Sequence, residues 1–119
     1  MMRIFIVDDS AVVRERLIEV LSGLPTGQII GQAVGAAEAV EAIRRMRPDV
    51  VILDLHLLEG NGIQVLQQIK KDAPGPIVLV LTNYPYPQYR KQCLETGADY
   101  FFDKSLEFDM VHEVIRQLP

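Results

Sequence analysis

The chain has 119 residues, of which 49% are hydrophobic and 24% charged, with 12 Lys+Arg against 16 Asp+Glu, so 12 − 16 = −4 at neutral pH. These proportions exclude a disordered or fibrous polypeptide, and the length suffices for one domain to bury a core without disulfide or metal staples. The mild acidity argues against a nucleic-acid-binding face, and no apolar run approaches the roughly 20 residues of a membrane span.

The elements follow in order along the chain. Ile4–Val7 is a short β-branched and aromatic run with no polar alternate face, as expected of a strand buried on both sides. Asp8 and Asp9 end it too early for a signal peptide, so a cytoplasmic protein is expected. Ser10 caps a helix with apolar positions at Val13, Leu17, Val20, Leu21 and Leu24. Gln28–Val34 is a weaker strand nearer a sheet edge, ending in Val34-Gly35-Ala36 with nothing chemical. A helix over Ala36–Arg47 presents Ala39, Val40, Ile43 and Met46, and Pro48 stops it. Arg44, Arg45 and Arg47 read as a solvated helix end, where cations are mildly favoured.

Val50–Leu53 and Ile77–Leu81 are again buried strands, separated by a helix over Ile63–Lys71 that buries Val65, Leu66 and Ile69. Pro87–Thr96 starts with Pro and stops at Gly97, the usual helix asymmetry. Cys93 on this helix is expected to be reduced and half-buried. Asp99–Asp103 is a weak strand, and Phe108, Val111, Ile115 and Leu118 line a last helix, with His112 an ordinary surface residue. The βαβαβαβαβα alternation predicts an α/β fold: a five-stranded parallel sheet, doubly wound with five helices. Residues 1–119 are expected to form one domain.

In such sheets the ligand crevice lies outside the carboxyl ends of the strands, where strand order reverses. The strand ends carry Asp8-Asp9, Asp54, Thr82 and Lys104. With strand order 2-1-3-4-5, three carboxylates converge in one pocket, with a hydroxyl and an ammonium on its rim. Clustered carboxylates repel unless one stays protonated or a hard cation binds. Oxygen ligands suit Mg²⁺, and an aspartate beside Mg²⁺ is a competent nucleophile toward a phosphoryl group. Each residue alone has a bland explanation as a turn, cap or surface side chain. Their coincidence at four strand ends does not.

These residues resemble the receiver domain of bacterial two-component response regulators, the CheY-like family. The resemblance covers the whole chain and is carried by Val7-Asp8-Asp9-Ser10, Asp54 through Gly62, Thr82, and Gly97 through Lys104. It implies that Asp54 is the phosphoacceptor. It implies that Asp9, Asp54 and the His56 backbone carbonyl bind Mg²⁺ (or Mn²⁺), with Asp8 acting through a metal-bound water. Lys104 would pair with phosphoryl oxygens. Thr82 would swing toward the phosphoryl group and Phe101 would follow as the switch aromatic. His56 and Tyr84 stand where the family tunes the lifetime of the phosphorylated state.

The implied partners are a sensor histidine kinase or phosphotransfer protein, and an output domain or effector that reads the face of the fourth helix, fifth strand and fifth helix. Tyr86, Tyr89, Arg90 and Lys91 lie on or before that helix. A phosphorylation-dependent homodimer also fits, whereas nucleic-acid binding by this domain does not. The domain would be regulatory, not a turnover enzyme.

Departures from the family pattern are Leu58 where Pro is usual, expected to loosen the loop; Asn83 after Thr82, expected to crowd the phosphoryl group; Ser105 where Pro is frequent, so no cis bond is expected there; and the stiff Tyr84-Pro85-Tyr86-Pro87 loop. The leading alternative is an atypical receiver acting as a phosphorylation-independent interaction module. A haloacid-dehalogenase-type phosphohydrolase lacks its Asp-x-Asp spacing here, and a flavodoxin-like cofactor binder would have its phosphate repelled by Asp8-Asp9.

Overall fold

The computed structural model describes residues 1–119. The strands are β1 (Met2–Val7), β2 (Gly27–Ala33), β3 (Val50–Leu53), β4 (Ile77–Thr82) and β5 (Tyr100–Asp103). Between and after them run α1 (Ala11–Ser22), α2 (Ala36–Met46), α3 (Gly62–Ile69), α4 (Pro87–Thr96) and α5 (Phe108–Gln117). All strand pairs are parallel, in the order β2-β1-β3-β4-β5. This is the doubly wound architecture expected from the alternation. No helix is long and apolar enough to cross a membrane.

The central strands are apolar on both faces because helices cover both. Phe5, Val7, Val51, Leu53, Val78 and Val80 pack with Ala39, Ile43, Val65, Leu66 and Cys93 on the side of α2, α3 and α4. Ile4, Ile6, Val50, Ile52, Leu79 and Leu81 pack with Leu17, Leu21, Val111 and Ile115 on the side of α1 and α5. The period of two in each strand assigns alternate residues to the two cores. The edge strand β2 is only half-buried over most of its length, and it slips register by one residue between Ile4 and Phe5 of β1. Gly31 fits at that slip because a Cβ there would lie 2.8 Å from the Phe5 ring.

Local signals account for the helix ends. Ser10 Oγ accepts from Val13 N–H at 3.2 Å, as its side chain predicts. α2 ends one residue early, at Met46, because Arg47 takes the left-handed conformation (φ 50) before Pro48. α3 buries Val65, Leu66 and Ile69 as expected, but it starts one residue earlier, at Gly62, where Asn61 and Gln64 form a capping box, and it ends two residues earlier, at Ile69. α4 has the expected bounds, with Gly97 at φ 114 as its C-cap. Cys93 is wholly buried, not half-buried, and burial pushes its thiol up to about 11, which leaves it unreactive at neutral pH. His112 is partly buried. Arg44 pairs with Asp72 at 2.8 Å and Arg45 with Glu41 at 3.6 Å, the solvated helix end expected of that cluster.

Candidate functional site

The switch point lies between β1 and β3, which leave in opposite directions to β2 and β4. The ladder continues one step past it: Asp54 N–H donates to Val7 O at 2.9 Å. Asp8 and Asp54 are thereby set side by side. Carboxylate oxygens of Asp8, Asp9 and Asp54 all lie within 4.8 Å of one another. Asp8 is 2% exposed and Asp54 5% exposed, while Asp9 faces solvent.

Asp8 has no freedom left. Its N–H donates to Ala33 O at 3.1 Å, and its Oδ1 accepts from Ser10 N–H at 2.8 Å. Its carbonyl accepts from Arg14 Nη1 at 2.8 Å, and Arg14 Nε in turn donates to Gln32 Oε1 on β2. Asp54 Oδ1 accepts from Leu55 N–H at 2.7 Å. The remaining oxygens meet Lys104, whose Nζ donates to Asp8 Oδ2 at 2.8 Å and to Asp54 Oδ2 at 3.1 Å.

Lys104 corrects the expectation that its ammonium sits on the rim. It is 8% exposed and lies in the pocket. It leaves the end of β5, an edge strand, and reaches across β4 to the ends of β3 and β1. Thr82 makes that path possible: its carbonyl accepts from Lys104 N–H at 2.8 Å, fixing where the lysine starts. Beyond Lys104, Asp103 Oδ1 accepts from both the N–H and the hydroxyl of Ser105. The single cis peptide bond is Ala73–Pro74, so the bond after Lys104 is trans as expected.

The electrostatics follow from burial. Desolvation raises the Asp54 carboxyl above its ordinary value; Lys104 opposes that rise and Asp8 adds to it. For Lys104, burial alone would lower the ammonium, but its hydrogen bonds and ion pairs with Asp8 and Asp54 outweigh it and the net direction is up. A raised carboxyl binds its proton more tightly in the folded protein than in the unfolded chain. The contribution of Asp54 to stability therefore falls as pH rises from the ordinary 3.8 through the raised folded value. Above that window, Asp54→Asn is expected to raise Tm by about 3–6 °C, with Lys104 still held by Asp8. The gain should vanish below pH 3.8. A lowered Tm at neutral pH would show that the Lys104 pair outweighs the burial cost.

Three carboxylates against one ammonium leave two negative charges, the charge of one divalent cation. Asp8, Asp9 and Asp54 offer hard oxygen donors only, so the donor set fits Mg²⁺ or Mn²⁺ rather than a soft metal.

Thr82 is fully buried, and its Oγ1 accepts from Tyr84 N–H at 3.0 Å. Phe101 is buried among the α2–α4 core residues, and its carbonyl accepts from Arg90 Nη1 at 3.1 Å. His56 is exposed, and its ring stacks on Tyr84 with centroids 3.8 Å apart and planes 18° apart. Tyr84, Tyr86 and Tyr89 extend that contact along the loop into α4, with centroids 6.5 Å and then 5.7 Å apart. Asn83 is exposed rather than packed into the pocket.

The loop after Asp54 is tied to the end of β2 and the start of α2. Leu58 N–H, which proline would lack, donates to Val34 O at 2.9 Å. The Val34-Gly35-Ala36 junction carries no reactive side chain, as expected, but it is tied to this loop: Val34 O accepts the Leu58 bond, and the N–H groups of Ala36 and Ala37 donate to Glu59. Gly62 is the other residue that sequence reasoning left without a role. A Cβ there would run into the Asp54 carbonyl, so the end of β3 and the start of α3 approach this closely only at glycine.

A parallel sheet in the order β2-β1-β3-β4-β5, covered by helices on both faces, places the chain in the class of flavodoxin-like α/β domains. The chain belongs to the response regulator receiver domain family, whose model matches residues 4–116. It is 33% identical over 107 residues to the DNA-binding transcriptional activator DevR/DosR of Mycobacterium tuberculosis, covering 90% of this chain and 49% of that protein. It is 35% identical over 111 residues to a protein-glutamate methylesterase/protein-glutamine glutaminase of Treponema pallidum, covering 92% of this chain and 28% of that protein. The chain thus spans half or less of the length of these curated relatives. Among solved structures, the response regulator domain of Thermotoga maritima CheB superposes with a TM-score of 0.85 at 30% identity, over 97% of this chain and 90% of that one.

Proposed function

We propose that residues 1–119 act as a cytoplasmic receiver domain that takes a phosphoryl group onto Asp54 in the presence of Mg²⁺ or Mn²⁺. The observation that carries this reading is the bridge from Lys104 to both Asp8 and Asp54 beside Asp9. The donor would be a phosphohistidine on a sensor histidine kinase or phosphotransfer protein. An Asp54 carboxylate oxygen attacks phosphorus, a new P–O bond forms, and the P–N bond breaks with its electron pair left on the donor imidazole nitrogen.

Asp8, Asp9, Asp54 and the His56 carbonyl would hold the cation, which supplies charge neutralisation as the phosphoryl group enters. Lys104 supplies the positive charge this chain itself contributes. It sits 3.1 Å from the attacking carboxylate and already spans the acceptor and Asp8. The Thr82 hydroxyl accepts from Tyr84 N–H, so its own proton is free to be donated to a phosphoryl oxygen. Movement of Thr82 toward that oxygen would draw Tyr84 with it and disturb the His56 stack and the tyrosines leading into α4. Phe101, tied to α4 through Arg90, would transmit the same change to the α4–β5–α5 face. An output domain, an effector or a second copy of the chain would read that face. Self-dephosphorylation returns the domain to its resting state, so its role is regulatory rather than metabolic turnover.

The test is intact-mass spectrometry after incubation with acetyl phosphate. One phosphoryl adduct is expected, requiring both Mg²⁺ and Asp54, and absent in Asp54→Ala. No adduct on folded protein with Mg²⁺ bound would favour a phosphorylation-independent interaction module instead.

A further inference from the structure

Helix α2 starts without a cap of its own. Its N-cap is Gly35, which has no side chain to accept from the unpaired N–H groups of the first turn. The loop after Asp54 takes up those donors. The Glu59 carbonyl accepts from Ala36 N–H at 2.8 Å, and Glu59 Oε1 accepts from Ala37 N–H at 3.2 Å. A carboxylate at this end of a helix is also favoured by the helix dipole. One residue earlier, Leu58 N–H donates to Val34 O. Glu59 is exposed, and its bonds go to α2 rather than to the pocket carboxylates.

We infer that Glu59 is a positioning residue for the acceptor loop: its double grip on the start of α2 fixes the arc that presents the His56 carbonyl to a divalent cation. The inference rests on the phosphoacceptor reading above. The loop 54–62 is anchored at its roots by Asp54 N–H to Val7 O and by Gly62 N–H to Leu55 O. The Gly62 bond flanks the antiparallel His56–Asn61 pair, and at the outer edge of the loop lie the Leu58 and Glu59 bonds. Gly60 follows at φ 71 and lies against α2 so closely that an added Cβ would come within 2.6 Å of the Ala36 Cβ. Without the outer grip the arc samples more conformations, and a carbonyl spread over several orientations must be ordered when it binds a cation.

The experiment is Mg²⁺ titration by calorimetry on the wild type, Glu59→Ala, Glu59→Gln and Ala36→Pro. The backbone there suits proline, after an extended Gly35 (φ −128, ψ 163), but the ring Cδ would take the place of the amide hydrogen and push away the Glu59 carbonyl that lies 2.8 Å from that nitrogen. Glu59→Ala and Ala36→Pro are expected to weaken Mg²⁺ binding about tenfold, the low end for partners that orient a metal ligand. Glu59→Gln keeps an acceptor oxygen and should stay near the wild type. The rate of adduct formation from acetyl phosphate should fall by the same factor at low Mg²⁺ and recover at saturating Mg²⁺, a split that a merely structural role would not produce. Unchanged Mg²⁺ affinity in folded Glu59→Ala overturns the positioning role alone, and this surface variant decides the matter if Ala36→Pro does not fold. Equal losses in Glu59→Gln and Glu59→Ala would assign the effect to charge and overturn the grip. A wild type that binds no Mg²⁺ overturns the phosphoacceptor reading beneath it.

Discussion

Lys104→Ala is expected to cost the fold about 3 kcal/mol at neutral pH, the scale for removing one partner of a buried charge pair. The cost arises because Lys104 is shared. Its one ammonium holds Asp8 at 2.8 Å and Asp54 at 3.1 Å, and both carboxylates are buried. Without it, two desolvated negative charges face each other beside Asp9. The sign of the pH dependence follows from the shifts. Lys104 is raised above its ordinary 10.5, so its contribution is complete below that value and is lost as pH climbs through the folded value. At the acid end the benefit fades as the raised Asp54 takes up its proton. The wild type and variant should therefore differ most between those limits and converge in acid. Added Mg²⁺ should restore more stability to the variant than to the wild type, because the cation replaces the missing charge. Thermal unfolding at several pH values, with and without Mg²⁺, measures both effects. A variant as stable as the wild type at pH 7 would mean that water already screens the two carboxylates. Adduct formation from acetyl phosphate should also drop sharply, since the developing charge loses its protein-borne counterion.

The strand ends were readable because strand chemistry is local. Val50–Leu53 has four apolar, mostly β-branched residues and then Asp54, and β3 has those bounds. Asp8, Asp54, Thr82 and Lys104 stand at the carboxyl ends of these runs, and the sheet order brings those ends together. What the sequence could not supply was direction. A lysine at the end of an edge strand reads as a rim residue, because nothing local tells whether its long stem turns outward or lies across β4. The ties of the loop after Asp54 are hidden from the sequence for a related reason. Leu58 looked like a lost proline, since the compensating bond goes to Val34, distant in sequence but adjacent in space. Glu59 likewise caps a helix that begins 23 positions before it, as 59 − 36 = 23. The Asn61 and Gln64 spacing, by contrast, is a local capping-box signal, and it would have moved the expected start of α3 from Ile63 to Gly62.

Gly62→Ala is expected to destabilise the domain by about 3 kcal/mol, the upper end for overpacking a buried position. The position is not unusual in φ; the constraint is one of space. An added Cβ would meet the Asp54 carbonyl oxygen, and would lie 2.9 Å from both the Asp54 carbonyl carbon and Leu55 Cα. All three are backbone atoms, so no side-chain rotation relieves the contact. That backbone is also pinned, by Asp54 N–H to Val7 O and by Leu55 N–H to Asp54 Oδ1. Relief must come from shifting the start of α3 or the acceptor residue itself, and either route breaks the Gly62 N–H bond to Leu55 O. The variant should therefore lose function ahead of fold: at temperatures where its circular dichroism is native, adduct formation at Asp54 should already be slowed. Gly23→Ala is the control, because nothing lies within 4 Å of a Cβ at the end of α1. It should leave both stability and adduct formation unchanged. A Gly62→Ala protein with wild-type Tm and adduct rate would mean that α3 slides to make room without moving Asp54, and that the close approach of helix and acceptor strand has no bearing on the site.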